Sequence, residues 1–223
     1  MSIESTKTGV EGERAIFLDP SVALDGRFIG KRGSETRRRI LETTATILES
    51  GGISELRVVD IARLVGCSPA TFYQYFPDSS AAVLALAEEV GEETIPLGAA
   101  LKVDWRGPGG LDAAGRLVDG FLRYWDAHRA VLRTRNLAAQ EGDQRFREVR
   151  NRALRPLTEG LTLMISASVS GRADELTPYA AAAALVAMLE RMAEFHTDLE
   201  DYGVSREDVV RTTALIIHTT VTR

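Results

Sequence analysis

One cysteine, seven prolines and no long apolar run set the first bounds on this chain of 223 residues. A single cysteine excludes an intramolecular disulfide framework and suits a reducing compartment. No apolar stretch reaches the roughly 20 residues that a membrane-spanning helix needs. The opening MSIESTKTGVEGER has neither the basic start nor the apolar centre of a signal peptide, so the expected location is the cytoplasm. Few prolines and no alternating apolar–polar runs leave an all-α fold as the leading class. Chemistry-bearing motifs are scarce too. The three histidines, His128, His196 and His218, fall on three different predicted helices, which argues against a metal site. The GPGG at 107–110 follows no strand and reads as a connector, not a phosphate loop. With no nucleophile or acid–base constellation in view, neither an enzyme nor a cofactor-dependent protein is expected.

What the sequence does contain is concentrated near its start. From Arg27 to Arg39 there are six basic residues (Arg27, Lys31, Arg32, Arg37, Arg38, Arg39) against one acid, Glu35, while the whole chain carries a net charge of −5. A local basic surplus on a short module, with an acidic body behind it, is the electrostatic footprint of DNA binding. Immediately downstream, Leu56–Phe76 reads LRVVDIARLVGCSPATFYQYF. Val58, Ile61, Ala62 and Val65 give one apolar helical face. Gly66 permits a tight turn, Ser68 can cap a second helix, and Pro69 sits at its first position, where no amide donor is missed. That is the layout of a helix-turn-helix whose second helix enters a major groove. Cys67, in the turn, reads as a small packed residue and not as a redox switch.

The remaining organisation follows from periodicity and punctuation. Residues 1–33 are polar and glycine-dotted around an apolar island at Ile16, Phe17 and Leu18, which predicts a flexible arm with a basic end. Helix one is expected over about 34–50, with an inward stripe of Ile40, Thr44, Ile47 and Leu48, ended by Gly51 and Gly52. Asp78 can cap a fourth helix, with Pro96 beyond its end. Five further helices are predicted at about 111–127, 128–139, 143–169, 178–199 and 206–221. Thr177-Pro178 starts one of them, and Ser205 with Asp208 forms a capping box for the last. The domain boundaries expected are 1–33 for the arm, 34–77 for the DNA-binding domain and 78–223 for a larger helical domain.

Residues 36–83 carry a resemblance. ILETTATILESGG, VVDIARLVGCS and TFYQYFPDSSAAV stand in the order and spacing of the TetR-type transcriptional regulators, so the chain resembles that family over its first domain and in its two-part helical architecture beyond it. The resemblance implies a dimer that binds a palindromic operator and is released by a small molecule held in the second domain. Repression is the outcome it favours, with activation left open. This chain also departs from the family's pattern. Arg57 stands where a threonine usually caps helix two, Val59 where an arginine is common, and Ser79 where a lysine usually meets the DNA backbone. The basic stretch upstream is expected to compensate, through contacts from the arm.

The candidate DNA contacts are Arg32, Ser34, Thr36, Arg37, Arg57, Ser68, Pro69, Ala70, Thr71, Tyr73, Gln74, Tyr75 and Ser79. Pro69, Ala70 and Gln74 lie where side chains face bases, and the Gln74 amide can pair bidentately with adenine. Thr71 suits a thymine methyl or a phosphate, and Tyr73 and Tyr75 suit phosphates. Phe72 and Phe76 are expected to pack inward. In the second domain Trp105, Phe121, Tyr124, Trp125, Leu137, Met164 and Met188 can line an apolar cavity, with Arg135, Asn136 and Gln140 as polar fixers. The same residues would serve equally as plain core. The cavity reading implies a hydrophobic or amphipathic effector. Leu185, Leu189 and Met192 on one helix and Val210, Ala214 and Ile217 on the next are expected to pair with their symmetry mates in a four-helix dimer interface. The rival reading is an architectural or DNA-coating protein without an effector, which would give extended protection of DNA rather than a short palindromic footprint.

Overall fold

The computed structural model describes residues 22–51, 56–168 and 177–222. The expected flexibility of the arm over 1–21, with its apolar island, lies outside these residues, as do Gly52 and Val169. The described residues are all-α: α1 (Lys31–Gly51), α2 (Val58–Val65), α3 (Pro69–Phe72), α4 (Ser79–Glu92), α5 (Gly110–Gln140), α6 (Gln144–Ser168), α7 (Pro178–Phe195) and α8 (Arg206–Thr222). Short 3-10 helices at Ile95–Lys102 and Asp198–Tyr202 link α4 to α5 and α7 to α8. No helix among the described residues is long and apolar enough to cross a membrane.

The caps fall where local chemistry puts them. The Asp78 carboxylate accepts from the Ala81 amide at 2.7 Å and opens α4. Ser205 and Asp208 exchange hydrogen bonds across the first turn of α8: Asp208 N–H donates to the Ser205 hydroxyl oxygen at 3.1 Å, and Asp208 accepts from the Ser205 hydroxyl at 2.6 Å. Gly110 opens α5 for a steric reason, since a Cβ there would sit 1.8 Å from the Trp105 carbonyl oxygen.

α4 forms the centre of the molecule. Ala81 through Ala87, Val90 and Gly91 are all buried, because α1 covers one side and α5 and α6 the others. A stretch apolar on every side, as 81–87 is, is stable only in such a position. Two residues past the end of α4, the buried hydroxyl of Thr94 donates to Ala153 O on α6 at 2.8 Å. One apolar core therefore runs from Ile40 and Phe72 in the first domain through α4 to Trp125, Leu157, Leu189 and Ile217 in the second.

Several sequence expectations change here. Helix one begins at Lys31 and not Ser34, so the basic end of the arm belongs to the helix. The two helices expected either side of residue 127 are one, α5, broken at His128, whose φ of −129° and ψ of 20° leave the helical range. The larger correction concerns α7 and α8. Leu185, Leu189, Ala214 and Ile217, expected at a dimer interface, are buried inside this one chain, and Met192 and Val210 pack half-buried against the same core. Apolar spacing identifies a buried face but carries no label for the partner that buries it. The faces left open are different: Ala180, Ala183, Ala184 and Ala187 on α7, and Thr212, Leu215, Ile216 and Thr219 on α8.

Candidate nucleic-acid interface and its link to the body

The turn between α2 and α3 is built as its residues require. Gly66 takes φ 77° and ψ 35°, the left-handed region open to glycine, and its amide closes onto Ala62 and Arg63. The Ser68 hydroxyl then accepts from the Thr71 amide at 3.1 Å, and Pro69 opens α3. The α-helix proper is only four residues long. Beyond Phe72 the backbone tightens, Gln74 and Tyr75 donating to the carbonyls of Thr71 and Phe72 three residues back. Phe72 and Phe76 are fully buried, with ring centroids 5.7 Å apart, and pin this element to the core. Pro69, Ala70, Tyr73 and Gln74 stand exposed on the other side, which is the division of labour expected of them.

Thr71 and Tyr75 are less free than expected. Thr71 is half-buried and its hydroxyl lies 3.0 Å from that of Ser68, so both hydroxyls are engaged in the cap. Tyr75 is half-buried, its hydroxyl oxygen beside Gly33, where a Cβ would approach it to 3.3 Å. Its ring packs against the core, and residues 22–30 add a backbone contact next to it. A bridge between Val22 and Phe28 folds them into a tight turn, and the Leu24 amide donates to Gln74 O at 3.0 Å. The end of the arm is thus strapped to the recognition element, with Phe28 86% exposed on the strap. Sequence patterning missed this because the contact is made through backbone groups.

The basic cluster is also rearranged. Arg37 donates to Glu89 on α4 at 2.9 Å and its guanidinium lies over the Phe76 ring, 5.3 Å from the centroid. It is therefore a strut between helices and not a free phosphate contact. Arg38 pairs with Glu35 and Glu42, Arg39 donates to the Val65 carbonyl at the end of α2, and Arg27 pairs with Asp25 at 2.6 Å. Lys31 and Arg32 are exposed and make no ion pair among the described residues, which leaves them as the open cations of the cluster. Thr36 spends its hydroxyl on Arg32 O at 3.0 Å within α1, and Ser34 is exposed. Arg57 precedes α2 without capping it and pairs instead with Asp60 at 2.8 Å. Ser79 is half-buried at the start of α4. Cys67 packs against the core, and burial pushes its thiol up despite the nearby Arg39, so the thiolate is disfavoured.

The residues expected to line one apolar cavity are dispersed among the described residues. Phe121, Tyr124 and Trp125 fill the core; Trp105 is riveted there by its Nε1 donating to Ala100 O at 2.9 Å and by stacking on His218. Met188 packs against the core and Met164 lines a shallow groove with the 3-10 helix Ile95–Lys102. Leu137 is exposed. Asn136 and Gln140 line a cleft between α5, α6 and α7 of about 450 Å³, where Arg135 joins them through Asn136 and Glu190. Bulky apolar residues at helical spacing are as well suited to filling a core as to lining a cavity, and here Trp105, Phe121, Tyr124 and Trp125 fill it.

Two polar junctions connect the units. His128 Nε2 meets Glu93, just past α4, at 2.8 Å, holding the break in α5 against the end of α4. Asp126 of α5 is bound by His196 at 2.7 Å, Arg206 at 2.7 Å and Arg129 at 2.8 Å, tying α5 to the end of α7 and the start of α8. Burial alone would raise the Asp126 carboxyl, but the hydrogen bonds from His196, Arg206 and Arg129 outweigh it and hold it below the usual carboxylate range. The histidines converge on no metal-binding cluster among the described residues.

Comparison with known proteins agrees with this geometry. Residues 40–90 match the family described as bacterial regulatory proteins, tetR family, and residues 99–223 match the tetracyclin repressor-like C-terminal domain. The HTH-type transcriptional regulator EthR of Mycobacterium tuberculosis is 30% identical over 104 residues, 45% of this chain and 47% of that protein. The match thus spans about half the length of that relative. Among solved structures, the fatty acid degradation regulator FadR from Bacillus halodurans superposes with a TM-score of 0.64 at 17% identity, covering 82% of this chain and 94% of its own. A TetR-family regulator structure from Rhodococcus sp. gives a TM-score of 0.62 at 20% identity, covering 85% and 100% respectively. At these identities the two structures speak for the fold alone.

Proposed function

The chain belongs to the tetR family of bacterial regulatory proteins, and we propose that it is a dimeric repressor that leaves a palindromic operator when a small molecule binds its second domain. The observation that carries the DNA-binding part is the recognition element itself. Pro69, Ala70, Tyr73 and Gln74 are exposed on a rigid turn whose underside, Phe72 and Phe76, is locked into the core. Gln74 is the base reader, and Tyr73, Lys31, Arg32 and Arg57 set the register on phosphates. Tyr75 and Thr71 act from beneath, by fixing the shape of the element.

Dimerisation places two such elements about one turn of DNA apart. The surface suited to it is the open face of α7 and α8. Ala180, Ala183, Ala184 and Ala187 let a second backbone approach closely, while Leu215 and Ile216, 52% and 44% exposed, supply apolar area beside them.

Switching follows from α4. Its N-terminus adjoins the recognition element, its body is held by α1 and α6, and the residue just past its end meets the break in α5. An effector that binds the second domain more tightly when the two recognition elements are misplaced shifts the population off DNA; equal affinity for both states would shift nothing. Footprinting on the DNA flanking the protein's own gene tests the reading. A short two-fold-symmetric footprint is the expected result, and extended protection would replace it with the DNA-coating alternative.

A further inference from the structure

The cleft between α5, α6 and α7 constrains what that effector is. Its lining is polar: Asn136 and Gln140 from α5, Arg147, Arg150 and Asn151 from α6, and Glu190 from α7, with Ala139 and Ala187 as the apolar exceptions. Glu190 is 5% exposed and carries two guanidinium groups, Arg150 on one oxygen and Arg135 on the other at 3.3 Å. Arg135 is 1% exposed and donates its Nε to Asn136 Oδ1 at 3.1 Å. Its guanidinium also bears on the buried hydroxyl of Tyr124, though neither that hydroxyl nor the Arg135 Nη1 finds a well-aligned acceptor. Arg147 makes no ion pair among the described residues, whereas Arg191 at the rim is matched by Glu194 at 3.0 Å.

Donors and positive charge are therefore in excess. Arg147, Arg150 and Arg191 line the cleft against the two carboxylates of Glu190 and Glu194, the buried Arg135 adds a fourth guanidinium on Glu190, and each guanidinium brings five N–H groups. A neutral apolar occupant would strip water from these groups and return no acceptor in exchange. An anion returns acceptors, and a planar carboxylate matches a guanidinium two bonds at a time.

Resting on the effector reading above, we propose that this cleft takes a small organic anion, held by Arg147 and Arg150, which competes with Glu190 for Arg150 and leaves Glu190 to Arg135. This narrows the hydrophobic or amphipathic occupant expected from the sequence to one that carries a negative charge. It also gives the signal a route. Arg135 lies on α5 beyond the break at His128, so a change in its carboxylate partner acts on the segment that the Glu93 contact couples to α4.

Thermal shift and calorimetric titration of the full chain test the assignment, with hexanoate, benzoate and succinate set against their amides at constant ionic strength. At least one acid is expected to raise Tm where its amide does not. Arg147→Gln, a change at an exposed position, is expected to weaken that acid tenfold or more. Glu190→Gln, which keeps the shape and removes the competing charge, is expected to strengthen it. Equal stabilisation by acids and amides overturns the proposal, as does an acid whose affinity neither substitution changes, or no stabilisation by any acid. Release of operator DNA is read separately. If the amides release DNA and the acids do not, the regulator reading stands and the anion assignment falls. If no operator is bound at all, the regulator reading itself falls.

Discussion

Arg37 on α1 reaches Glu89 on α4 at 2.9 Å with its guanidinium over the ring of Phe76, so one cation joins the first helix, the recognition element and the helix that leads into the body. From the sequence this residue belongs to a DNA-facing basic cluster. In the fold its side chain is 11% exposed and spent internally. The consequence is measurable, because a strut and a phosphate contact respond differently to salt.

Arg37→Ala is expected to lower stability by about 1–2 kcal/mol, from one cation–π contact and one partly exposed ion pair. Operator affinity falls with it, but the slope of log affinity against log salt stays unchanged. Lys31→Ala and Arg32→Ala do the reverse. Each leaves Tm in place and reduces the salt slope by about 1, as the loss of a phosphate contact requires. Binding titrations from low to moderate salt separate the two behaviours.

Gln74→Ala is expected to cost about 1–3 kcal/mol at one position of the operator and to relax the preference for that base, with little change in Tm. Binding to a panel of single-base operator variants checks this. A uniform loss across the panel would assign Gln74 to positioning instead of reading.

Truncation of residues 1–28 removes the bridge of Val22 with Phe28 and the Leu24 bond to Gln74, while keeping α1 from Lys31. Operator affinity is expected to drop. Amide hydrogen exchange over 73–76 should quicken at the same time, since the strap orders the recognition element. Unchanged exchange would mean that Phe72 and Phe76 suffice to hold it.

At the dimer face, Ala184→Arg and Leu215→Glu are expected to give folded monomers in sedimentation analysis, because both side chains point out of the protomer. Leu189→Glu, fully buried, is expected to unfold the chain. If the first two remain dimeric, the pairing surface lies elsewhere.

Asp126 sets an acid limit. Its carboxyl is held below the ordinary value, so its stabilising contribution is fully present above that value and is lost as pH falls through the lowered folded value. Asp126→Asn is therefore expected to lower Tm at pH 7, and the gap to the parent chain should narrow in strongly acidic buffer. A gap independent of pH would show that charge is not what Asp126 contributes.

Much of the architecture was legible in residue order. Gly66, Ser68, Pro69, Asp78, Ser205 and Asp208 act on backbone groups within a few positions, so their effects are local and readable. The inward packing of Phe72 and Phe76 follows from helical spacing in the same way.

What the sequence determined by itself was therefore the helical class, the turn and caps of the DNA-binding unit, and which faces would be apolar. These depend on interactions spanning one or two turns of chain. Tertiary structure alone decided where the long side chains went. Arg37, Arg39 and Arg135 are each a flexible cation that takes the nearest acceptor in space, and those acceptors, Glu89, Val65 O and Glu190, stand 52, 26 and 55 positions away. It likewise decided that Leu185, Leu189, Ala214 and Ile217 close one chain's own core. Burial is a property of the surface that arrives opposite, and no stretch of sequence contains its own neighbour.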